Sequence, residues 1–348
     1  MRTDPYEKFV SKCKCPSPCL FTEIDGIRVT WEINGVCNLK CAHCCLNAKN
    51  MCTISPNLDR YKKIIDQLVE DNVKAVYVSG GEPLLWDYIF EFINYAKQQG
   101  IELISLATNA TLLTRKNVER LEKAEADKIL ISLDHHIPEL HDKLRGVKGT
   151  FDAAIKGIEN VKKYSNIFIR IGTVIWKENY KVLENFVKFL IEKGADEVIF
   201  SWLMKTGRAV NHPEIFVDRK YYFSIAEELE RLKRKYSKEI KIHFHRFQKL
   251  TKKSKNCMGG EKFYYINHRG QLGPCSWISK LFPEKYLTKA SLLKTSLLSL
   301  KETSEFKKFF KDNRERYSKF GPGCPAVCTI ENGNFFSKDP LDDRNEEM

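Results

Sequence analysis

Three cysteines, Cys37, Cys41 and Cys44, lie close together with the spacing C-x3-C-x2-C. Cysteine thiolates bind iron–sulfur clusters, and a structural or electron-carrying [4Fe–4S] cube normally has a ligand on each of its irons. With three thiolates and no evident fourth ligand, one iron is left open to a small molecule. The run therefore predicts a cluster that takes part in a reaction.

A zinc site is the alternative use of this run, because tetrahedral zinc also binds closely spaced thiolates. His43 or Cys45 would then supply the fourth ligand. Zinc gives no reason for the sequence Gly80-Gly81-Glu82-Pro83, which ends an apolar run further along the chain. We therefore favour the iron–sulfur cluster.

Further short motifs follow the cysteine run along the chain. They are Gly80-Gly81-Glu82-Pro83, Thr108-Asn109-Ala110, Ser132-Leu133-Asp134, and Arg145-Gly146 followed by Gly149-Thr150-Phe151. With these motifs the sequence resembles the radical S-adenosylmethionine (SAM) superfamily over most of its length. The resemblance implies that Cys37, Cys41 and Cys44 bind the catalytic [4Fe–4S] cluster and that SAM chelates its fourth iron.

The resemblance also implies roles for residues around this cluster. Gly80 and Gly81 allow the backbone to approach a ligand closely, because no Cβ is in the way. Glu82 places a carboxylate where, by resemblance, it bonds the ammonium group of SAM. A strand-ending turn often carries two glycines for geometry alone, so the position after the cysteine run gives the motif its weight. His43 stands where the family usually has an aromatic residue, and its neighbouring backbone is expected to face the adenine.

Asn109, Ser132 and Asp134 are short polar residues at predicted strand ends, where such residues commonly cap the next helix. The resemblance implies instead that Asn109 belongs to the cofactor site and that residues 132–134 lie beside the SAM ribose and the substrate. It also brings Arg145, a planar bidentate donor, within reach of the SAM carboxylate. Without the resemblance, residues 145–151 are typical of a loop leading into a helix capped by Thr150.

A second group of cysteines lies in the C-terminal third: Cys257, Cys275, Cys324 and Cys328. Together with Gly270 they resemble a shortened form of the auxiliary-cluster extension called SPASM, or its one-cluster relative called twitch. Four cysteines suit one auxiliary [4Fe–4S] cluster. The C-x2-C pair and the final cysteine of the full pattern are missing, so this region cannot complete a second one. Four unconnected core thiols are the alternative.

The remaining cysteines have no assigned role. Cys13, Cys15 and Cys19 could bind another cluster or metal, give one ligand to the auxiliary site, or lie in a surface loop. Cys45 and Cys52 are near the catalytic run. A thiol near a radical site can donate a hydrogen atom, but a packed free cysteine is the commoner outcome.

The surrounding sequence alternates β-branched or apolar runs with longer amphipathic ones, which predicts repeated β-α units around a parallel sheet. Strands are predicted at 28–34, 73–79, 101–108, 128–133, 167–174 and 197–202, and helices at 58–70, 86–99, 115–123, 151–164 and 180–193. Six such strands fit an α/β fold, a partial (β/α)6 TIM-type barrel. In such barrels functional residues lie where strands end, and the motifs follow the first four strands in this way.

We expect four regions along the chain. Residues 1–26 form a cysteine-containing segment, 27–238 the partial barrel, 239–336 a small α+β domain for the auxiliary cluster, and 337–348 an acidic tail that is frayed from residue 339. The C-terminal domain is predicted to hold a strand at 240–245, a basic linker at 248–255, a hairpin at 263–267 and 271–275, and a helix at 297–311.

Composition indicates the size class of the protein, its compartment and its partners. Its 348 residues, 43% of them hydrophobic, are enough for two cores, and no apolar stretch is long enough to cross a bilayer. The start of the chain lacks the apolar core of a secretory signal, so we expect a soluble cytoplasmic protein in a reducing compartment. The net charge of +13 raises nucleic acid as a partner, but the lysines are spread along helices as on a solvated face.

The resemblance implies reductive cleavage of SAM to a 5′-deoxyadenosyl radical, which abstracts hydrogen from a substrate, with an electron donor such as ferredoxin or flavodoxin. Our first expectation is maturation of a ribosomally made peptide or protein. A separate recognition protein or direct docking would be needed, because the residues before Cys37 are too few for a leader-binding domain. The alternative is a haem-type or a molybdopterin- or tungstopterin-type enzyme of cofactor biosynthesis. A third hypothesis is a non-enzymatic iron–sulfur or zinc protein that binds nucleic acid.

Overall fold

A computed structural model describes residues 26–48, 57–245 and 257–340 of the chain. Several sequence predictions fall outside these ranges. They are the roles of Cys13, Cys15, Cys19 and Cys52, the linker at 248–255, and the acidic tail beyond residue 340.

The centre of the fold is a nine-stranded sheet with the order β7-β6-β5-β4-β3-β2-β1-β8-β9. Its strands are β1 (Ile27–Glu32), β2 (Val73–Ser79), β3 (Leu103–Thr108), β4 (Lys128–Ser132), β5 (Phe168–Ile175), β6 (Glu197–Trp202), β7 (Lys241–His245), β8 (Phe263–Ile266) and β9 (Leu272–Gly273). Neighbouring strands from β7 to β8 pair in parallel, and β9 pairs antiparallel to β8. This arrangement confirms the predicted partial TIM-type barrel and adds strands at both edges.

Helices connect the strands and continue through the C-terminal part. They are α1 (Leu58–Glu70), α2 (Ile89–Gln98), α3 (Arg115–Lys123), α4 (Pro138–Arg145), α5 (Thr150–Tyr164), α6 (Leu183–Lys193), α7 (Tyr222–Lys235), α8 (Ser276–Leu281), α9 (Pro283–Tyr286), α10 (Leu297–Lys301), α11 (Ser304–Phe320) and α12 (Pro325–Asn332). Their apolar faces cover the sheet; in α1 the buried residues Tyr61, Ile64, Ile65 and Leu68 follow the three-and-four spacing of one helix face.

One C-terminal prediction needs correction. The sheet continues past residue 238, because β7 pairs with β6 and β8 pairs with β1, and the division of the chain into domains stays a prediction. The predicted helix at 297–311 is two helices, since Thr303 takes an extended conformation between α10 and α11.

Two local predictions also differ. Asp339, which we expected in a frayed tail, is buried and accepts a hydrogen bond from the Cys324 N–H (2.8 Å). Thr150 is the first residue of α5 rather than its cap. Asp142 caps α5 instead: its carboxylate accepts bonds from the Phe151 N–H (2.8 Å), a donor of the first turn, and from the Thr150 hydroxyl (2.7 Å).

The main apolar core lies between the sheet and its helices, and a second, smaller one around Tyr286, Phe309 and Phe335 organises the C-terminal region. No helix within the described ranges is long and apolar enough to span a bilayer.

Candidate active site

A cavity of about 270 Å³ opens at the carboxyl ends of the parallel strands. The loop after β1, residues 37–48, is called the cluster loop here; Cys37, Cys41 and Cys44 from this loop all line the cavity. Gly80 and Gly81, Asn109, Ser132 and Arg145, which the sequence placed after or near later strands, line it too. The structure therefore brings most of the predicted site residues to one place.

The two glycines after β2 are required by the packing of the chain against itself. A Cβ on Gly81 would lie 1.8 Å from the Val36 carbonyl oxygen, and a Cβ on Gly80 would lie 2.7 Å from that of Asn34. The N–H of Gly81 instead donates to the Asn34 carbonyl (3.0 Å). The close approach thus positions the start of the cluster loop beside the end of β2, and it leaves both glycines on the cavity wall.

Glu82 is fully buried and does not line the cavity. Its carboxylate accepts hydrogen bonds from the Thr108 hydroxyl (2.7 Å), the Asn109 N–H (2.8 Å) and the Leu84 N–H (3.1 Å). Burial raises its pKa to about 6, against the effect of these donors. In this structure Glu82 therefore joins the ends of β2 and β3, and its predicted bond to the SAM ammonium stays a prediction.

Asn109 connects β3 to the cluster loop. Its side-chain amide donates to the Asn38 side-chain oxygen (2.8 Å) and lies 3.9 Å from the Cys37 sulfur. The Leu39 N–H also points to this sulfur, at 3.4 Å. Burial nevertheless raises the pKa of the Cys37 thiol to about 11, so we expect iron binding to displace a proton from it.

Asp134 and Arg145 form a buried ion pair beside Cys41. The Arg145 guanidinium lies 2.6 Å from the Asp134 carboxylate and 3.9 Å from the Cys41 sulfur. Burial opposes ionisation of Asp134, but the nearby guanidinium outweighs it and lowers the pKa of this carboxyl. Asp134 thus holds Arg145 rather than lining the cavity, and contact between Arg145 and the SAM carboxylate stays a prediction.

His43 lies half-buried on the cavity wall. Burial, reinforced by the positive charge of Arg145, lowers its pKa to about 4. The imidazole is therefore neutral at physiological pH, as expected for a ring that takes the place of an aromatic side chain.

Three residues near the cavity escaped the sequence analysis. Arg208, after β6, donates from Nε to the Cys41 carbonyl (2.9 Å) and from Nη1 to the Ala48 carbonyl (2.7 Å). Trp277 of α8 forms part of the cavity wall. Lys280, one turn further along α8, pairs with Glu32 at the end of β1 (2.6 Å) and lies 3.7 Å from the Cys45 sulfur. No local motif marks these residues, because their partners are distant in the sequence.

Three of the four C-terminal cysteines pack against the smaller apolar core. Cys257, Cys275 and Cys324 pack against it, while Cys328 is buried one turn after Cys324 on α12. The buried Arg316 donates from Nη2 to the Cys328 sulfur (3.1 Å). Burial raises the pKa of this thiol to about 11, although the guanidinium acts in the opposite direction. A cation in this position would offset thiolate charge in a cluster site.

Three thiols of one loop line a single cavity, and thiols are the donors that iron–sulfur clusters use. In the ranges that the structure describes, no three His, Cys, Asp or Glu side chains converge closely enough to hold one metal ion. A tetrahedral zinc needs its thiolates within a few ångströms of each other, whereas a cube spreads them over separate irons. The three cluster-loop thiols share the cavity wall with Arg145, whose guanidinium lies 3.9 Å from the Cys41 sulfur.

Residues 31–190 match the Radical SAM superfamily. This match identifies a radical SAM domain in the chain. The AdoMet-dependent heme synthase of Methanosarcina barkeri (strain Fusaro / DSM 804) is 26% identical over 343 residues, 90% of this chain and 95% of that protein. The antilisterial bacteriocin subtilosin biosynthesis protein AlbA of Bacillus subtilis (strain 168) is 27% identical over 264 residues, 75% of this chain and 56% of that protein. The crystal structure of Streptococcus suis SuiB bound to S-adenosylmethionine has the same fold, with a TM-score of 0.72 at 19% identity over 91% of this chain and 77% of that chain.

These comparisons confirm the resemblance seen in the sequence. The protein is a radical SAM enzyme, and radical SAM enzymes bind a [4Fe–4S] cluster and SAM. The assignment of individual residues to these cofactors remains a proposal.

Proposed function

We propose that Cys37, Cys41 and Cys44 hold the catalytic cluster and that the rest of the cavity binds SAM and the reacting part of the substrate. One observation carries this assignment: the three thiols line the same cavity as Gly80, Gly81, Asn109 and Arg145, four of the residues expected around SAM. A cluster held by these thiols and reduced by an electron donor would supply the electron for cleavage of SAM to methionine and a 5′-deoxyadenosyl radical, which would take a hydrogen atom from a C–H bond.

The chain itself supplies position and shelter for this chemistry. Asp134 fixes the guanidinium of Arg145 at the cavity wall, where it is available to an anionic group. Apolar side chains form much of the rest of the wall: Leu39, Leu46, Val174, Trp202, Leu203, Met204 and Trp277. Such a wall excludes water and offers few reactive groups, which protects a radical from side reactions.

We propose that Cys257, Cys275, Cys324 and Cys328 hold one auxiliary [4Fe–4S] cluster in a region that begins after β7. Three of the thiols pack against one small apolar core, and Cys328, with Arg316 beside it, lies one turn after Cys324; these positions support the assignment. Helix α8 begins directly after its N-cap, Cys275, and its second residue, Trp277, forms part of the cavity wall. An auxiliary cluster here would relay an electron from the product radical or hold the substrate.

For the substrate we propose a carboxylate-bearing iron porphyrin as the first candidate. The supporting observation is the match to a heme synthase, which covers 90% of this chain and 95% of that protein. This reverses the order of our sequence-based expectations. A ribosomally made peptide is the second candidate, supported by the similarity to AlbA over 75% of this chain. Ferredoxin or flavodoxin as electron donor, a separate peptide-recognition protein and a cytoplasmic location stay predictions.

Iron analysis after anaerobic reconstitution tests the two cluster assignments. We expect about eight irons per chain in the wild type and about four after replacing Cys37, Cys41 and Cys44 by alanine. Cys45→Ala is the matched control, because it removes the adjacent thiol that only a zinc knuckle would use. Zinc in place of iron, or iron unchanged in the triple variant, would overturn the assignment. About twelve irons per chain would indicate a third cluster, bound by Cys13, Cys15 and Cys19.

Deuterium transfer tests the substrate. The reduced enzyme is incubated with SAM and either Fe-coproporphyrin III deuterated in its carboxyethyl side chains or a deuterated peptide pool. The candidate that serves as substrate should place deuterium in 5′-deoxyadenosine. Label from the peptide pool alone would select the second candidate, and label from neither would reject both.

A further inference from the structure

The cluster loop has weak hydrogen bonds of its own. Its backbone bonds from Cys44 N–H to Cys41 O (3.2 Å) and from Asn47 N–H to Cys44 O (3.3 Å) are longer than the usual 2.9–3.0 Å. On one side, the end of α4 supports it through bonds from Ala42 N–H to Leu144 O (2.9 Å) and from Lys40 N–H to Arg145 O (3.2 Å). The geometry of the loop therefore depends on groups from outside it.

Arg208 also supports the loop. Its guanidinium donates to the carbonyls of Cys41 (2.9 Å) and Ala48 (2.7 Å), and its backbone N–H donates to the carbonyl of Cys44 (3.0 Å). One residue thus contacts the loop beside two of the three proposed cluster ligands and near the end of the described part of the loop. The flat guanidinium has separate donors aimed in fixed directions, so it can hold two carbonyls at once.

Gly207 makes this contact possible. It has a φ of +56°, and a Cβ on it would lie 2.3 Å from the Cys44 carbonyl oxygen and 2.7 Å from the Cys45 Cα. Any side chain would push the segment after β6 away from the cluster loop. The glycine and the arginine therefore act together, the first by allowing the approach and the second by bonding across it.

We propose that Arg208 is a positioning residue that holds the cluster loop in the shape in which its thiols can share one cluster. The inference rests on the proposed assignment of Cys37, Cys41 and Cys44. Loss of the guanidinium leaves the Cys41 and Ala48 carbonyls without these donors, so the loop can relax and its thiols can separate. We then expect faster loss of the bound cluster and a changed environment for the iron that SAM would bind.

Variants at position 208 separate the geometry of the side chain from its charge. Arg208→Ala removes both, whereas Arg208→Lys keeps a positive charge but offers one ammonium group in place of a fork. Arg115→Ala, which removes an exposed arginine paired with Glu119 on α3, is the matched control. The reconstituted proteins are compared by iron retained over time with a chelator, by EPR of the reduced catalytic cluster with and without SAM, and by thermal unfolding.

We expect cluster loss about tenfold faster in Arg208→Ala, because two hydrogen bonds of a charged group are removed. Arg208→Lys should lie nearer to this variant than to the wild type, with an altered EPR response to SAM, and Arg115→Ala should match the wild type. If Arg208→Ala fails to fold, the EPR response of Arg208→Lys decides. Wild-type retention and EPR in the folded variants would overturn the inference. A wild type without a cluster at these cysteines would instead reject the proposed function.

Discussion

Glu82 shows how one buried side chain joins elements that carry the site. Its carboxylate receives donors from the ends of β3 and of the turn that follows β2, and it has no exposed surface. Removal of the carboxylate would leave those donors unpaired inside the protein, which is costly. A loss of SAM binding in Glu82→Ala could therefore not be assigned to the predicted contact with SAM alone, because Asn109 would also be displaced. Glu82→Gln is the better variant for testing that contact.

The raised pKa of Glu82 predicts a pH-dependent stability. Its folded-state pKa is about 6 and its ordinary value is 4.5, so between these values the unfolded chain has released the proton that the folded protein keeps. This group should therefore lower stability by about 2 kcal/mol as pH rises through that window. In urea unfolding of the apoprotein, the wild type should lose this amount relative to Glu82→Gln. Glu91→Gln on the surface of α2 is the control, and parallel profiles for wild type and Glu82→Gln would contradict the prediction.

The site residues that sequence motifs identified differ physically from those that they missed. Cys37, Cys41 and Cys44 are visible because their chemistry depends on short spacing within one loop. Arg208 is concealed because its bond to the Cys41 carbonyl joins residues 167 positions apart, and a carbonyl has no side-chain signature. The sequence could therefore suggest the proposed cluster ligands, but not the arginine that bonds to their backbone.

Among the elements, local patterns predicted helices well where an apolar face and a cap agreed. The predicted ranges 58–70 and 115–123 match α1 and α3, and the side chains of their N-caps, Asn57 and Thr114, accept hydrogen bonds from backbone N–H groups of the first turn. The hairpin of β8 and β9 was also predicted, but its parallel pairing with β1 was not. Local periodicity identifies a strand without naming its neighbour, so the extension of the sheet could not be foreseen.

Helix α8 is the element that connects the proposed auxiliary site to the barrel. It begins after Cys275, places Trp277 in the cavity wall and pairs Lys280 with Glu32, whose other oxygen accepts from the Tyr265 hydroxyl (2.5 Å). Glu32 and Lys280 are both well shielded, with side-chain exposures of 4% and 22%. Their attraction is therefore screened less than that of a surface pair.

A double-mutant cycle measures this connection. Lys280→Met alone should destabilise the protein by about 3 kcal/mol, because it leaves a buried carboxylate without its cation. Combined with Glu32→Gln in urea unfolding, it should give a coupling energy of about 1–3 kcal/mol. The same cycle on the exposed pair Lys156 and Glu159 of α5 should give less than about 1 kcal/mol. Equal coupling in the two cycles would show that α8 is not held to β1 by this pair.

In the whole molecule, the two ends of the parallel sheet carry different groups of side chains. The cavity and its thiols lie at the carboxyl ends of the strands, whereas a buried charge network lies toward the amino ends. There Glu197, the first residue of β6, accepts from Arg170 (2.8 Å) on β5 and from Lys128 (3.1 Å), the first residue of β4. All three side chains are buried, and the network joins strands that α5 and α6 connect only from outside.

This network predicts a large and pH-dependent effect of Glu197→Gln. The variant leaves two buried cations without their counter-charge, so we expect a loss of about 3–5 kcal/mol in urea unfolding at pH 7. Burial alone would raise the pKa of Glu197, but Arg170 and Lys128 outweigh it and hold the pKa below its ordinary value of 4.5. Its contribution is therefore present above about pH 4.5 and is lost as pH falls further, so the difference between wild type and variant should shrink there. Glu192→Gln, at an exposed position of α6, should change neither value. A difference below about 1 kcal/mol at pH 7 would mean that water reaches the network and that the amino end of the sheet is held by apolar packing instead.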